Sequence, residues 1–417
     1  MRLDRQPWMT TPAVTAVFDA LGPDLPDDSP VPVVRFVGGC VRNAIAGRPV
    51  ADIDLTTVLT PNEVIARLEA AGLKAIPTGL DHGTVTAVAD HQPFEITTLR
   101  RDVETYGRHA TVAFTDDWAE DSNRRDITFN ALLADRDGTV HDFHGGIDDL
   151  KAGRVRFIGP AEKRIAEDTL RLLRFFRFFA QFGKPPADDA ALAACAAAAG
   201  HLAALSGERV AKEMLALLAC DEPTEAIRLM RVHGVLAEVE SHLELVDRLA
   251  GLVSVEGDAL LAADPLRRLA ALTSGGQVGA LAVAQRFRLS NADRDRMALI
   301  ADPARQPEAQ TDAAAARRTA YRTGRDAFVD LVALRWAEAP GEEEKWQALI
   351  DAVAGWAVPD FPLRGRDGLD IGIAAGPRLG ALLDAIESWW IETDFGPGRD
   401  ECLAELKRRA DKGPQTD

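Results

Sequence analysis

The 417-residue sequence is poor in cysteine. Its four cysteines, Cys40, Cys195, Cys220 and Cys402, stand far apart and form no C-x-x-C pair. This spacing argues against a disulfide framework or a zinc site and predicts a protein of the reducing cytoplasm. No apolar run approaches the roughly 20 residues of a membrane span. The first residues, MRLDRQPWMTTPAV, lack the basic-then-apolar order of a signal peptide. We therefore expect a cytoplasmic protein without a membrane partner.

Two common nucleotide-binding loops are also missing. The stretch VGGCVRN contains Gly38 and Gly39, but the G-x-G-x-x-G fingerprint of dinucleotide-binding folds would need glycine where Cys40 and Asn43 stand. A Walker loop would need Gly-Lys followed by Ser or Thr, and the chain contains no such triplet. Both interpretations of the paired glycines are excluded by the residues themselves.

The global charge disfavours nucleic acid as a partner, whereas one segment favours it. The formal net charge is -17 at pH 7, and nucleic-acid binding requires positive surface. Between Lys151 and Lys184, however, nine basic residues stand beside only three acids, Glu162, Glu167 and Asp168. An acidic protein with one basic stripe can still hold a phosphate backbone, so RNA binding remains open.

The sequence pattern changes near residue 150. Before it, short β-branched runs such as VPVVRFVGG, DIDLTTV and PFEITTLR alternate with turns, as is typical of strands. A helix is expected from Pro61 to Ala71, because Thr60 and Glu63 form a capping-box pattern. After about Gly159, Leu/Ala/Arg segments with helical spacing take over. The sequence predicts a mixed α/β head followed by an all-helical remainder.

Two aspartates in the segment ADIDLTT, Asp52 and Asp54, stand at i and i+2. In a strand this spacing puts both carboxylates on one face and turns Ile53 toward the core. Ionised carboxylates side by side repel unless a cation neutralises them, and oxygen ligands on one face suit Mg²⁺. The alternative interpretation is a solvated strand edge that carries two surface acids.

Phosphate-binding features precede these aspartates. Gly38 and Gly39 close an apolar run, where the lack of Cβ lets backbone N–H groups approach an anion. A helix beginning just after them would direct its positive end to the same place, and Arg42 on its first turn can meet a phosphate oxygen. Phosphate donors and metal acceptors therefore converge, as a nucleoside triphosphate site requires.

This combination, GG-x-V-R-[DN] followed by D-x-D, resembles the active-site signature of the polymerase-beta-like nucleotidyltransferases, specifically the class II CCA-adding enzymes and bacterial poly(A) polymerases. The resemblance implies an α+β fold. A nucleotidyltransferase head with a small mixed sheet would span residues 1–150, a helical neck for base recognition 151–233, and a helical body and tail that bind tRNA 234–417. It also implies an enzyme with two Mg²⁺ ions per active site, tRNA, CTP and ATP as partners, and no protein partner.

A second motif, RRDITFNAL at residues 124–132, is similar to the family's R-R-D-F-T-[IV]-N-A-[LM]. Asp126 and Asn130 are four residues apart and would share one face of a helix. Together with Arg125, which can form bidentate bonds to phosphate, they are expected to hold the ribose and the triphosphate. The preceding segment, residues 101–114, resembles the flexible loop that assists full-length CCA synthesis in the family.

A third motif, EDTLR, resembles the family's base-recognition motif E-D-x-x-R with Glu167, Asp168 and Arg171. The spacing of Asp168 and Arg171 lets both reach over one helical ridge, where an acceptor and a donor fork can bond the edge of cytosine or adenine. Farther on, SGERVAKEM resembles the motif S-x-E-R-[IV]-x-x-E, in which Arg209 or Glu213 is expected to brace the template helix. The phenylalanines that follow Arg171 are assigned to packing.

One further acid and one departure complete the interpretation. Glu95 lies out of phase with Phe94 and Ile96 on an expected strand, which makes it a candidate third carboxylate; an exposed strand Glu is the alternative. The family usually has Asp where this chain has Asn43. An H-x-x-x-H-D run is absent, so the metal phosphohydrolase domain of some relatives is not indicated. The motifs leave two alternatives open: a poly(A) polymerase and a partial, A-adding tRNA nucleotidyltransferase.

Overall fold

A computed structural model describes residues 1–22, 32–106 and 109–411, with side chains except at 81 and 102–112. The chain divides into two compact units, Met1–Glu244 with Arg286–Arg288, and Leu245–Gln285 with Leu289–Asp417. The finer division into head, neck and body stays a prediction. Within the described ranges no helix is long and apolar enough to cross a membrane.

Nine strands lie in the described residues of the first unit. They are β1 (Val34–Val37), β2 (Asp54–Thr57), β3 (Lys74–Gly79), β4 (Thr84–Ala89), β5 (Gln92–Thr98), β6 (Arg100–Tyr106), β7 (His109–Phe114), β8 (Leu133–Ala134) and β9 (Val140–His141). Seven of them form one sheet in the order β3-β4-β5-β2-β1-β8-β9, and β6 pairs with β7. The β2–β5 pair is parallel and the other neighbours are antiparallel. The predicted small mixed sheet is confirmed.

The two faces of this sheet differ in polarity because side chains alternate along each strand. In β4 and β5 the apolar residues, Val85, Ala87, Phe94 and Ile96, are fully buried, and helices α1 (Pro12–Leu21) and α3 (Pro61–Ala70) pack against β4. The capping box of Thr60 and Glu63 starts α3 as expected. The opposite face carries the polar residues of the same strands and remains open for a site.

Helices make up most of the rest of this unit. They are α2 (Gly39–Ile45), α4 (Trp118–Asn123), α5 (Gly146–Ala152), α6 (Ala161–Glu167), α7 (Leu170–Phe182), α8 (Asp189–Ala198), α9 (Gly207–Leu218), α10 (Thr224–Val232) and α11 (Val235–Val239). Helix α7 packs against α9 and α10 and buries Phe175, Phe176, Phe178 and Phe179. The assignment of these phenylalanines to packing is confirmed.

The described part of the chain beyond residue 244 is helical. Its helices are α12 (Val246–Asp258), α13 (Pro265–Leu272), α14 (Gly276–Phe287), α15 (Asn291–Ile300), α16 (Ala313–Thr323), α17 (Arg325–Glu338), α18 (Glu343–Ala354), α19 (Gly365–Asp370), α20 (Pro377–Glu392) and α21 (Arg399–Asp411). A buried ionic cluster holds α12, α13 and α17 together: Arg267 contacts Glu256 at 2.7 Å and Asp330 at 3.1 Å. The α+β head with an all-helical remainder is confirmed.

Candidate active site

The paired glycines form the turn between β1 and α2. Gly38 has φ 67° and ψ −116°, a conformation that side chains disfavour. Its N–H donates to the carbonyl of Leu132 at 3.0 Å, and a Cβ at Gly38 would lie 3.4 Å from the backbone oxygen of Asn130. Glycine at this position therefore lets the turn pass close to the 124–132 motif. The expected helix begins at Gly39, as the sequence pattern predicts.

The acidic residues gather on the polar face of the sheet. Asp54 is paired in register with Glu95 across the parallel strands β2 and β5, and Ile53 is buried in the core. Burial raises the pKa of Asp54 to about 6, and the charges of Glu95 and Asp52 add to this effect. The shift therefore reports a partly buried carboxylate beside two like charges, whose effect the charge of Arg125 opposes. Among the described residues, no three His, Cys, Asp or Glu side chains already stand in metal-binding geometry.

The expected strand position of Asp52 is wrong, because β2 begins at Asp54. Asp52 lies in the exposed segment that precedes the strand. This segment makes no strand pairing at Asp52; the register of β1 with β2 starts at Leu55 and that of β5 with β2 at Asp54. Asp52 still adds to the negative potential at Asp54.

The 124–132 motif is not the regular helix that the spacing suggests. A 3-10 turn spans Thr128–Ala131, and Asp126 precedes it, since Ile127 bridges to Phe157 and interrupts the helix. Asn130 Nδ2 nevertheless donates to Asp126 Oδ1 at 3.0 Å. Burial would raise the pKa of Asp126, but the Arg174 guanidinium, whose Nε donates at 2.5 Å, holds it far below its usual range.

Arg125 lies beside the glycine turn. Its Nη2 donates to Asp121 at 3.3 Å, and its Nη1 is 3.8 Å from the Cβ position of Gly38. Its buried Nε has no hydrogen-bond partner among the described residues. Burial lowers the pKa of Arg125, and the Asp121 carboxylate opposes that shift. A guanidinium Nη1 this close to Gly38 suits an anionic ligand.

The base-recognition motif does not lie on one continuous helix, which corrects the single-ridge expectation. Helix α6 ends at Glu167, and Asp168 has extended backbone with φ −154° and ψ 107°. The break has a local cause: Asp168 Oδ1 accepts from the N–H of Leu170 at 3.1 Å and so caps the start of α7. Asp168 also pairs with Arg209 of α9 at 2.8 Å, which agrees with the expected bracing role of Arg209.

Glu167 and Arg171 form a hydrogen-bonded ion pair. Glu167 accepts from Arg164 at 2.9 Å and also from Arg171. Arg171 Nη2 donates to the carbonyl of Arg124 at 2.8 Å, which links α7 to the 124–132 motif. The other predicted brace, Glu213, accepts from Arg177 Nε at 2.6 Å.

These features surround one cavity of about 500 Å³. Ten of the twelve predicted site residues line it: Gly38, Gly39, Arg42, Asp54, Glu95, Arg125, Asp126, Asn130, Asp168 and Arg171. Asp52 and Glu167 are not among the lining residues. The wall carries seven arginines and four carboxylates. It offers acids on the central strands β2 and β5 and cations around α7, so it can hold a polyanion whose charge is bridged by cations.

Comparison with known proteins decides what kind of site this is. Residues 34–156 match the family described as the poly A polymerase head domain, and residues 188–244 match a probable RNA- and SrmB-binding site of polymerase A. The mitochondrial CCA tRNA nucleotidyltransferase 1 of Mus musculus is 33% identical over 385 residues, 90% of this chain and 86% of the relative. This chain belongs to the CCA tRNA nucleotidyltransferase family.

Other relatives agree with this membership. The CCA-adding enzyme of Oceanobacillus iheyensis is 39% identical over 195 residues, 46% of this chain and 48% of that enzyme. The crystal structure of the Bacillus stearothermophilus CCA-adding enzyme in complex with CTP is 26% identical, with a TM-score of 0.76 over 97% of this chain and 99% of that one. The family and the enzyme class, a nucleotidyltransferase, are thus confirmed.

Sequence reasoning missed several residues of this nucleotidyltransferase cavity. Thr84, Thr97, Arg100 and Arg124 line it, although the period of two in β5 already put Thr97 on the face of Glu95. Arg209, expected only as a brace, also lines it, and so does Arg174, for which a place in the cleft and a solvated position were both left open. The segment expected as a flexible loop contains β6 and β7; its residues 107 and 108, and the side chains of 102–112, lie outside what is described.

Proposed function

We propose that this enzyme transfers CMP and then AMP from CTP and ATP to the 3′ end of tRNA. The observation that carries the proposal is the single cavity in which the glycine turn, the carboxylates and the Asp168–Arg171 pair meet. It is supported by the relatives, whose names include CCA tRNA nucleotidyltransferase and, for a solved structure, a complex with CTP.

Asp52 and Asp54 are proposed to hold two Mg²⁺ ions, with Glu95 as a third carboxylate. The donor set fits a hard cation, because all its ligands are carboxylate oxygens and the charges of Glu95 and Asp52 are close enough to Asp54 to raise its pKa. Bound Mg²⁺ supplies charge stabilisation at the reacting phosphate and a lower pKa for the attacking 3′-hydroxyl. The protein's own part is to hold Asp54 on β2 and Glu95 on β5, with Asp52 in the segment just before β2.

The triphosphate is proposed to lie against Gly38, Gly39, Arg42 and Arg125. The glycines allow close approach of the backbone, and the arginines supply donors in a half-buried, low-dielectric wall. Asn130 supports this wall indirectly, because its amide joins Arg42 Nη1 at 2.6 Å to Asp126 at 3.0 Å. Asp126 therefore holds Asn130 and, through it, Arg42 in place. The ribose is proposed to bind near Asn130.

Asp168 and Arg171 are proposed to select the base. A carboxylate acceptor beside a guanidinium donor can match the Watson–Crick edge of cytosine or adenine and leaves guanine and uracil with mismatched groups. Glu167 contributes by orienting Arg171, since the two side chains are hydrogen-bonded. Arg209 holds Asp168 from α9.

The helical remainder is proposed to grip tRNA, by backbone and shape rather than by base edges, because the deep groove of A-form RNA excludes side chains. The second matched family, at residues 188–244, is described as a probable RNA-binding site and supports this assignment. A cytoplasmic location is proposed because all four cysteines are free thiols, which suits a reducing compartment.

The decisive experiment incubates the protein with tRNA that lacks its 3′-terminal CCA and with each labelled nucleotide in turn. Products that stop after C, C and A support the proposal. Long A tails would identify a poly(A) polymerase, the second candidate, because the matched head domain is described as that of a poly A polymerase. In a parallel reaction on tRNA that already ends in CC, A addition there without C addition to the shorter tRNA would identify a partial enzyme.

The metal assignment has its own test. Asp52→Ala and Asp54→Ala should each abolish nucleotide incorporation while tRNA binding, followed by filter retention, stays within about twofold. Turnover that survives either substitution contradicts the assignment of these two carboxylates to Mg²⁺.

A further inference from the structure

The guanidinium of Arg42 is held by neutral groups. Its Nε and Nη2 donate to Asn43 Oδ1 at 3.1 and 2.9 Å, and its Nη1 donates to Asn130 Oδ1 at 2.6 Å. The guanidinium carbon lies 4.7 Å from the ring centre of Phe182 and 5.2 Å from that of Phe178. Amide oxygens and aromatic rings orient a cation without cancelling its charge.

No carboxylate forms an ion pair with Arg42 in the described part of the chain, although the residue is only 9% exposed. The largest attractive charge interaction of Arg42 is with Asp126, and that carboxylate is already bonded to Arg174 and Asn130. Burial lowers the pKa of Arg42 to about 10, and the charge of Arg177 adds to the shift. The side chain is still protonated at neutral pH, so an unneutralised cation stands in the cavity wall.

Asn43 is suited to this arrangement in a way that aspartate is not. Its Nδ2 donates to the carbonyl of Pro49 at 3.0 Å, in the segment between α2 and β2. That bond fixes the amide with its oxygen toward Arg42, because only the NH₂ group can face a carbonyl. An aspartate would set a carboxylate against the same carbonyl and would form an ion pair with Arg42.

We propose that Asn43 is a positioning residue that aims Arg42 at the triphosphate while leaving its full charge available to the ligand. This inference rests on the proposed role of the cavity in triphosphate binding. Three of the five N–H groups of Arg42 donate to amides, and the other two remain for phosphate oxygens. Asn43 thereby strengthens nucleotide binding without touching the nucleotide.

The test measures binding of inorganic tripolyphosphate to the full chain by titration calorimetry over a range of salt concentrations. Asn43→Asp should weaken binding about tenfold and flatten its salt dependence, because one positive charge is neutralised within the protein. Asn43→Ala keeps the charge of Arg42, so its affinity should fall less and its salt dependence should stay that of the parent. Asn62→Asp, the same change at an exposed position of α3, should bind like the parent.

Equal affinity in Asn43→Asp and the parent would overturn the proposal. A flattened salt dependence of tripolyphosphate binding in Asn43→Ala would also overturn it. That result can be obtained even if Asn43→Asp does not fold. In steady-state assays the Asp variant should raise KM for CTP and ATP more than it lowers kcat. Tripolyphosphate carries no base and needs no tRNA, so its binding tests the positioning role of Asn43 even if the protein does not add CCA. Failure of the proposed CCA-adding function would be seen only in the incorporation assay.

Discussion

Replacing Asp54 by asparagine should stabilise the fold while it abolishes catalysis. In the structure, burial and the charges of Glu95 and Asp52 raise the pKa of Asp54 from 3.8 to about 6. A shift of about two pKa units corresponds to roughly 3 kcal/mol of penalty on the ionised form. Because Asp54 keeps partial contact with solvent, we expect a gain of about 1–3 kcal/mol from Asp54→Asn at neutral pH.

The pH dependence of this gain in stability follows from the direction of the pKa shift of Asp54. A carboxylate whose pKa is higher in the folded than in the unfolded state destabilises the fold as pH rises from 3.8 to about 6, and the full penalty persists above pH 6. The advantage of Asp54→Asn should therefore be complete at pH 7.5 and should fade as pH falls toward 4.

Scanning calorimetry in the presence of a chelator measures the effect as a rise of a few degrees in the transition of the first unit. Asp116→Asn, at an exposed site, controls for the loss of one carboxylate. Mg²⁺ should stabilise the parent and not Asp54→Asn, since bound cation favours the state that holds it. A variant that is no more stable than the parent at pH 7.5 without metal would refute the reasoning.

Two further predictions concern the residues around the base pocket and its support. Arg209→Ala should release Asp168 from its 2.8 Å ion pair and lower the preference for CTP and ATP over UTP and GTP, measured by single-nucleotide incorporation; unchanged selectivity would remove Arg209 from base choice. Glu213→Gln should leave the half-buried Arg177 without its charged partner and cost about 1–3 kcal/mol in urea unfolding, whereas no measurable loss would show that the pair is dispensable.

Local pattern predicted the parts of the site that depend on local geometry. Strand alternation separates Glu95 from the buried Phe94 and Ile96, and the glycine turn follows from an apolar run that ends in two residues without Cβ. The pairing of Asp54 with Glu95 was not readable from pattern, because it depends on the parallel register of β2 and β5, which are remote in sequence. That Asp54 and Glu95 belong to one site was predicted only with the help of the family resemblance.

The two wrong helix predictions have separate causes. The spacing of Asp168 and Arg171 predicts one helical ridge, but Asp168 uses its carboxylate to cap the N–H of Leu170 and starts a new helix. At residues 126–130 the i, i+4 contact exists, yet the Ile127 bridge to Phe157 turns the backbone away from a helix. A side-chain bond to nearby backbone in the first case, and a contact remote in sequence in the second, override the spacing.

The cavity wall carries acids and cations whose charges are only partly compensated within the protein. Asp54 stands near two further acids, whose effect Arg125 opposes, and Arg42 is held by amides and aromatic rings. Burying these charges in the folded protein costs stability that a neutral, packed wall would not cost. Under the proposed function, a nucleoside triphosphate accompanied by cations would supply charges of both signs at once. The electrostatic effects that raise the pKa of Asp54 and lower that of Arg42 in the free protein would then become favourable when the nucleotide binds.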